Sequence, residues 1–356
     1  MNQARLEHAA CVEKATSLPP RLYSDPGQYD AEVAHVFRRE WHSVARIDEL
    51  ATPGDYVCVD LFGDPIVIVR DADGSVRAMS RVCRHRGMPI VEGCGNANGF
   101  TCPYHRWTYG LDGALRGAPA MERSAGFDRS VHALPALRAE VWQGWVFVNL
   151  DPNAVPLAPR LAALAALLEP HALADMRVAT TLHYASPWNW KLMVENFMES
   201  YHHIGVHAAT LQPTHPAFST HVEDLAGPFV LLENPGKTPE VPPFWAGCVF
   251  PFHMFGLTRG SRPFCTWYRM QIRSHAYFDL DIKILVPPAI ADKPDAARAL
   301  AATIDRIHRE DIVVCEGVQR GLRASLAAPG RMSYLEKGNW LFHEYLIERL
   351  KGEMAP

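Results

Sequence analysis

Cys83-Arg-His85-Arg-Gly87 and Cys102-Pro-Tyr-His105-Arg-Trp-Thr-Tyr109 carry the reading of this chain, with sixteen residues between His85 and Cys102. Each segment supplies one thiolate and one imidazole. Two thiolates and two imidazoles on paired short loops form the ligand set of a [2Fe–2S] centre in which two His replace two Cys on one iron. Zinc takes the same residue types, but Cys2His2 zinc sites usually pair Cys with Cys at one end and His with His at the other. The mixed loops here favour a cluster held between two hairpin tips, and a chain that handles single electrons.

At these residues the sequence resembles the large subunits of Rieske non-haem iron oxygenases. One departure is Arg106, where many members carry a small residue beside a ligand. Rieske proteins of respiratory complexes add a disulfide between the two loops. The matching positions here are Met88 and Tyr104, which cannot form one. The resemblance therefore points to an oxygenase or ferredoxin type, with Cys83, His85, Cys102 and His105 holding the cluster. A small Rieske ferredoxin needs about 100 residues, and this chain has 356.

A second metal is announced within Asn189-Trp-Lys-Leu-Met-Val-Glu195-Asn-Phe-Met-Glu199-Ser-Tyr-His202-His-Ile-Gly205-Val-His207. Glu195, Glu199 and His202 follow i, i+4, i+7 spacing, which predicts one stripe of a helix. His207 lies five residues beyond His202, off that stripe, so both imidazoles reach one metal only if the helix breaks between them; Gly205 offers the place. Two His and a carboxylate on one face of an iron make the facial triad of non-haem Fe(II) oxygenases. The third ligand must come from elsewhere, and Asp311 leads in the helical run 304–321, with Asp305, Glu310 and Glu316 as rivals. The run around Asp311 resembles the third-ligand helix of carnitine and glycine betaine monooxygenases, which implies His202, His207 and Asp311 as iron ligands. His203, His215, His221 and His308 read as surface or supporting histidines. By the same resemblance, Glu199 hydrogen-bonds across a subunit boundary to a cluster His and bridges the two metals.

Net charge is −4 with no basic run, which argues against nucleic acid. Met1–His8 lacks a charged-then-apolar layout, so the expectation is no secretory leader and a cytoplasmic protein. The Ala/Leu-rich stretch 155–173 is too short and interrupted to cross a membrane and predicts one amphipathic connecting helix. The six remaining cysteines show no paired spacing, consistent with a reduced setting.

Alternating runs at Tyr56–Leu61, Pro65–Arg70, Ser75–Ser80 and Trp145–Leu150 outline strands, preceded by a predicted helix over Asp30–Trp41. The fold expected is α+β: a small all-β Rieske domain, 41–150, inserted into an α+β catalytic domain with a central antiparallel sheet flanked by helices. Residues 1–40 would pack on that catalytic domain, and 151–356 would complete it. Strands are expected at Phe264–Arg273 and His275–Leu285, with a final amphipathic helix from Ser333.

The function implied is a terminal oxygenase. A separate NADH- or NADPH-linked reductase, with or without a ferredoxin between, would supply electrons, because no nucleotide-binding glycine fingerprint appears here. The cluster and a mononuclear Fe(II) would use O2 to hydroxylate a small organic substrate. A methylated or quaternary amine is slightly favoured, because Asn196-Phe-Met-Glu199 resembles the amine-oxidising members in spacing; the aromatics between Phe244 and Tyr268 would suit a cation–π cage, a flat pocket for an aromatic ring, or core. An aromatic-ring (di)oxygenase is the alternative, and a Rieske electron-transfer protein without catalytic iron a remote one. Family analogy implies a homotrimer.

Overall fold

The computed structural model describes residues 8–258, 263–291 and 293–351; the leader reading at Met1–Glu7 lies outside them. The chain forms two compact units: residues 38–158, and residues 1–37 together with 159–356.

The 38–158 unit is built of strands. Its main sheet contains β1 (Trp41–Arg46), β2 (Asp55–Leu61), β3 (Asp64–Arg70), β4 (Val76–Ser80) and β5 (Cys94–Asn96). A smaller sheet is formed by β6 (Phe100–Thr101), β7 (Thr108–Tyr109) and β8 (Leu115–Gly117). β9 (Ala136–Trp142) and β10 (Trp145–Asn149) complete the main sheet, in the order β1-β10-β9-β4-β3-β2-β5. Phe62 and Gly63 both take positive φ between β2 and β3, the conformation a two-residue hairpin requires. β3 is buried on both faces. Its Ile66 and Ile68 join Val44, Val146 and Val148 on one side, while Val67 and Val69 join Met79, Trp107, Cys83 and Cys102 on the other. The cysteines of the two loops thus belong to a hydrophobic core.

The second unit opens with α1 (Pro26–His35), whose first turn is capped by Asp25 accepting from the Gly27 amide. The helix expected over Asp30–Trp41 is displaced towards the N-terminus. Pro26 starts it, Phe37–Arg39 is a 3-10 turn, and Trp41 is already in β1, hydrogen-bonded opposite Asn149. The single connecting helix expected over 155–173 is instead α2 (Leu157–Arg160), α3 (Ala162–Leu168) and a 3-10 turn at Glu169–His171. Leu161, at φ −109° and ψ 14°, interrupts the helical path between the first two.

Next come β11 (Arg177–Ser186), α4 (Trp190–Phe197), β12 (His221–Val222), β13 (Phe229–Asn234), β14 (Phe244–Val249) and β15 (His253–Thr258). β16 (Phe264–Ser274) and β17 (Tyr277–Val286) form the longest hairpin, close to the strands expected there. Together these strands make an antiparallel sheet in the order β11-β17-β16-β15-β14-β13-β12. α5 (Pro288–Ala291), α6 (Pro294–Leu322) and α7 (Lys337–Arg349) complete the unit. α6 lies against β11 and α4, and α7 against β13 and α4. The architecture is the expected α+β arrangement: in sequence, a β-rich unit is inserted between α1 and the antiparallel sheet with its flanking helices. Among the described residues, no helix is long and apolar enough to cross a membrane.

α1 is tied to α4 by an ion pair inside the core. Lys191 Nζ donates to Glu32 Oε1 at 2.6 Å and Trp190 Nε1 donates to Glu32 Oε2 at 2.7 Å. Both charged side chains are 1% exposed.

Candidate active site

The two loops of the 38–158 unit repeat one backbone pattern. In the first, the Cys83 amide donates to the Met88 carbonyl (2.9 Å) and the Gly87 amide to the Cys83 carbonyl (3.0 Å). In the second, the Cys102 amide donates to Trp107 (2.8 Å) and the Arg106 amide to Cys102 (3.0 Å). Gly87 (φ 76°) and Arg106 (φ 60°) occupy the same left-handed slot, four residues after each cysteine. Only glycine adopts it freely; another residue pays about 1–2 kcal/mol. Arg106→Gly is therefore expected to stabilise the loop by about 1 kcal/mol, read as a later loss of cluster absorbance during urea unfolding. An unchanged transition would mean that the arginine side chain offsets its own strain.

The thiols of Cys83 and Cys102 are buried, His85 is exposed, and the His85 and His105 rings lie 4.6 Å apart between centroids. Trp107 stacks on His85 at 4.9 Å and 8°, fixing the plane of that imidazole. Tyr109 Oη accepts from the Arg84 amide at 3.0 Å and lies 3.4 Å from Cys83 Sγ. Two buried thiols and two adjacent accessible imidazoles on matched loops fit the donor set of a Rieske-type cluster.

In the other unit, the helix of the second motif is shorter than its sequence spacing suggests. α4 begins at Trp190, capped by Asn189, and ends at Phe197, with Met198 leaving helical geometry at ψ 20°. The expected break is present, but it precedes Glu199 and does not wait for Gly205. Glu195, Glu199 and His202 consequently share no helical stripe. Glu195 points elsewhere, its Oε1 accepting from Tyr23 Oη (2.6 Å) and lying 2.8 Å from His343 Nε2. His202 sits on a 3-10 turn, Tyr201–Ile204, and His207 on the turns that follow.

The end of α4 is held by α7. A Cβ on Gly338 would stand 2.2 Å from the Met198 carbonyl oxygen. Gly338→Ala must push the two elements apart, at a typical overpacking cost of about 1–3 kcal/mol. The expected result is a lower melting temperature together with weaker iron retention after dialysis; normal retention would show that the His202 turn is positioned without α7.

Each of the two histidines is oriented by a carboxylate. His202 Nδ1 donates to Glu199 Oε1 at 2.6 Å, while Glu199 Oε2 accepts the His202 amide at 3.0 Å. His207 Nδ1 donates to Glu310 Oε2 at 2.7 Å, and Thr210 Oγ1 donates to the same oxygen at 2.6 Å. With Nδ1 turned to a carboxylate, each Nε2 is the nitrogen left to present a lone pair to a metal once it gives up its proton. Both Nε2 atoms face Asp311 Oδ1, 3.7 Å from His202 Nε2 and 3.0 Å from His207 Nε2. One ligand atom from each of the three residues lies within 4.8 Å of the others. Such a donor set, with its outer nitrogens already fixed, fits a single metal ion with open positions. Burial opposes ionisation of Asp311, but the hydrogen bond and charge of His207, with the charge of His202, hold its pKa below the usual carboxylate range.

The rival carboxylates are engaged elsewhere. Asp305 accepts from Tyr184 Oη and Arg309, Glu316 pairs with Arg320, and Glu310 serves His207. His203 is buried with Nδ1 against the His215 carbonyl, and burial pushes its pKa down to about 3. His221 is exposed beside Glu223 and Glu233. Sequence reasoning missed the orienting role of Glu310; its position directly before Asp311 was the available signal. It also missed Asn196, which donates to Asp311 Oδ1 at 3.2 Å.

A cavity of about 560 Å³ opens beside these residues. Of the aromatics between Phe244 and Tyr268, Phe244, Phe264 and Tyr268 line it, joined by Phe197. Phe250, Phe252, Phe255 and Trp267 are buried in the core.

Both motifs fall within matches to known families. Residues 40–136 match the Rieske [2Fe-2S] domain, and residues 173–245 and 246–352 match the ring hydroxylating alpha subunit (catalytic domain). The chain is 38% identical over 217 residues to the carnitine monooxygenase oxygenase subunit of Escherichia coli (strain K12), a match covering 59% of this chain and 55% of that one. The chain thus spans about half the length of that relative. It is 30% identical to the carnitine monooxygenase oxygenase subunit of Acinetobacter baumannii, covering 89% of this chain and 88% of that one. A solved quaternary ammonium Rieske monooxygenase, CntA, in complex with its substrate L-carnitine, superposes with a TM-score of 0.83 at 28% identity. That match covers 97% of this chain and 99% of the other.

Proposed function

We propose, from the premise that this chain belongs to the family of Rieske ring-hydroxylating oxygenase alpha subunits, that it is the terminal oxygenase of a system acting on a methylated or quaternary amine. Cys83, His85, Cys102 and His105 would hold the [2Fe–2S] cluster, and His202, His207 and Asp311 the mononuclear iron. When bound, these groups supply one-electron transfer and the activation of O2. Electrons would come from an NAD(P)H-linked reductase, and the protein would act in the cytoplasm. The observation that carries the reading is the convergence of His202 Nε2, His207 Nε2 and Asp311 Oδ1 beside a largely apolar cavity.

The chain's own residues do two things in this scheme. Glu199 and Glu310 hold the imidazoles in one tautomer and one orientation, so that the site keeps its shape through each turnover. Phe197, Phe244, Phe264 and Tyr268 supply ring faces, which attract a trimethylammonium group and exclude water from it. Hydroxylation of a carbon attached to nitrogen then gives an aldehyde and a dealkylated amine.

Glu199 has a second proposed task. Its contacts with His202 use one lone pair on each oxygen and leave acceptor capacity free. That capacity suits a hydrogen bond from a cluster histidine of a neighbouring copy in a homotrimer, linking one copy's cluster to the next copy's iron. Glu199→Gln is expected to retain both metals and to slow turnover by about 10–100-fold, the range for outer-shell partners of a metal ligand. Single-turnover oxidation of the reduced cluster measures this step; an unchanged rate would remove the bridge role.

Oxygen uptake by the iron-loaded protein with NADH and a surrogate reductase tests the activity. An aldehyde formed from a methylated amine in step with oxygen uptake is the expected product. A hydroxylated ring from an aromatic acid would instead place the chain among the ring hydroxylases.

A further inference from the structure

Most polar side chains in the cavity wall are engaged with the protein itself. Asn196 donates to Asp311, Thr210 to Glu310, Ser200 to Asn234, and Thr303 to the Ala299 carbonyl. His203 and His215 each lie within hydrogen-bond distance of a backbone carbonyl. His308 stands apart. It lines the cavity and is 2% exposed, yet among the described residues its Nε2 has no hydrogen-bond partner. Its ring rests on Tyr184, 4.4 Å between centroids, and the Tyr184 hydroxyl donates to Asp305.

An unpaired buried polar atom costs about 1–3 kcal/mol. α6 places isoleucine at two neighbouring positions of the same wall, Ile304 and Ile307, so an apolar residue suits this surface. A histidine kept here needs a use. His308 also lies three residues before Asp311, on the same side of α6. Burial pushes its pKa down to about 4, so at neutral pH the imidazole is uncharged, with one N–H and one lone pair. A hydroxyl group, which both donates and accepts, matches such a partner. A carboxylate matches it poorly, because the imidazole brings no positive charge and Asp311, Glu310 and Glu199 lie close to the same cavity.

We propose that His308 is the hydrogen-bonding handle of the substrate cavity, selecting a trimethylammonium substrate that carries a hydroxyl group over its deoxy analogue. The inference rests on the amine reading above for the class of substrate, and on His308 itself for the selection.

Isothermal titration of the metal-loaded protein with L-carnitine and with γ-butyrobetaine, which differ by one hydroxyl, tests it without turnover. Wild type is expected to bind L-carnitine about five- to tenfold more tightly, the worth of one hydrogen bond. His308→Leu should abolish that preference by weakening L-carnitine alone, and His308→Gln, which keeps a donor and an acceptor, should restore part of it. Should the leucine variant not fold, His308→Phe carries the same comparison. Equal weakening of both ligands, or of neither, overturns the assignment. Salicylate and benzoate, which differ by the same group, are titrated in parallel. If only this pair binds, and its hydroxyl preference depends on His308, the amine reading fails and the handle stands. If neither pair shows a preference that depends on His308, or nothing binds, the handle is rejected.

Discussion

Asp311→Ala is expected to yield a folded protein with an intact cluster spectrum, one iron fewer per chain and substrate-coupled oxygen uptake reduced by more than 100-fold. The size follows from what the substitution removes. Outer partners of a metal ligand are worth about 10–100-fold in metal affinity or activity, and Asp311 contributes the oxygen towards which both imidazoles point. The substitution also leaves His207 Nε2 and Asn196 Nδ2 without their shared acceptor. Iron analysis after anaerobic loading, together with the visible spectrum, measures both metals on one sample. Full retention of iron would transfer the third-ligand role to another carboxylate and would undo the division of labour between ligand and orienting residue.

The second large effect concerns stability. Glu32→Ala is expected to destabilise the 1–37/159–356 unit by about 3–5 kcal/mol, because it strands the Lys191 ammonium inside the core. The double replacement Glu32→Leu with Lys191→Met removes both charges and should recover most of that loss. The Trp190 indole N–H, which also uses Glu32, keeps a residual penalty. Urea unfolding of the two variants beside wild type gives the comparison. A single variant as stable as wild type would mean that water reaches Lys191, contrary to its burial.

The two candidate sites were legible in the sequence because their motifs are local. Cys83 to His85 and Cys102 to His105 are short spacings on turns, and His202 with His207 forms another. The Asp311 assignment needed the family resemblance, because nothing in the spacing of α6 distinguishes it from Asp305 or Glu316; only their tertiary partners do. The helix around Glu195 was misread for a related reason. An i, i+4, i+7 pattern is a helix signal only while the helix lasts, and α4 stops at Phe197, where α7 packs on its end. The engagement of Glu195 with Tyr23 and His343 joins residues far apart in the chain, which no periodicity registers. Strands such as β13, β14 and β15 pair with their neighbours in sequence but are buried almost throughout, so their short apolar runs lack the alternation that marks a half-buried strand.

The tie between α1 and α4 also imposes an order of events during synthesis. Glu32 leaves the ribosome before Lys191, which follows 159 residues later. At about 5–20 residues per second, α1 waits roughly ten to thirty seconds for its partner. In that interval the contiguous 38–158 segment emerges whole and has everything its own sheet requires. The nascent chain is thus free to fold its middle first and to close its beginning onto its later part afterwards, with the helix carrying Glu32 kept in reserve until the matching lysine arrives.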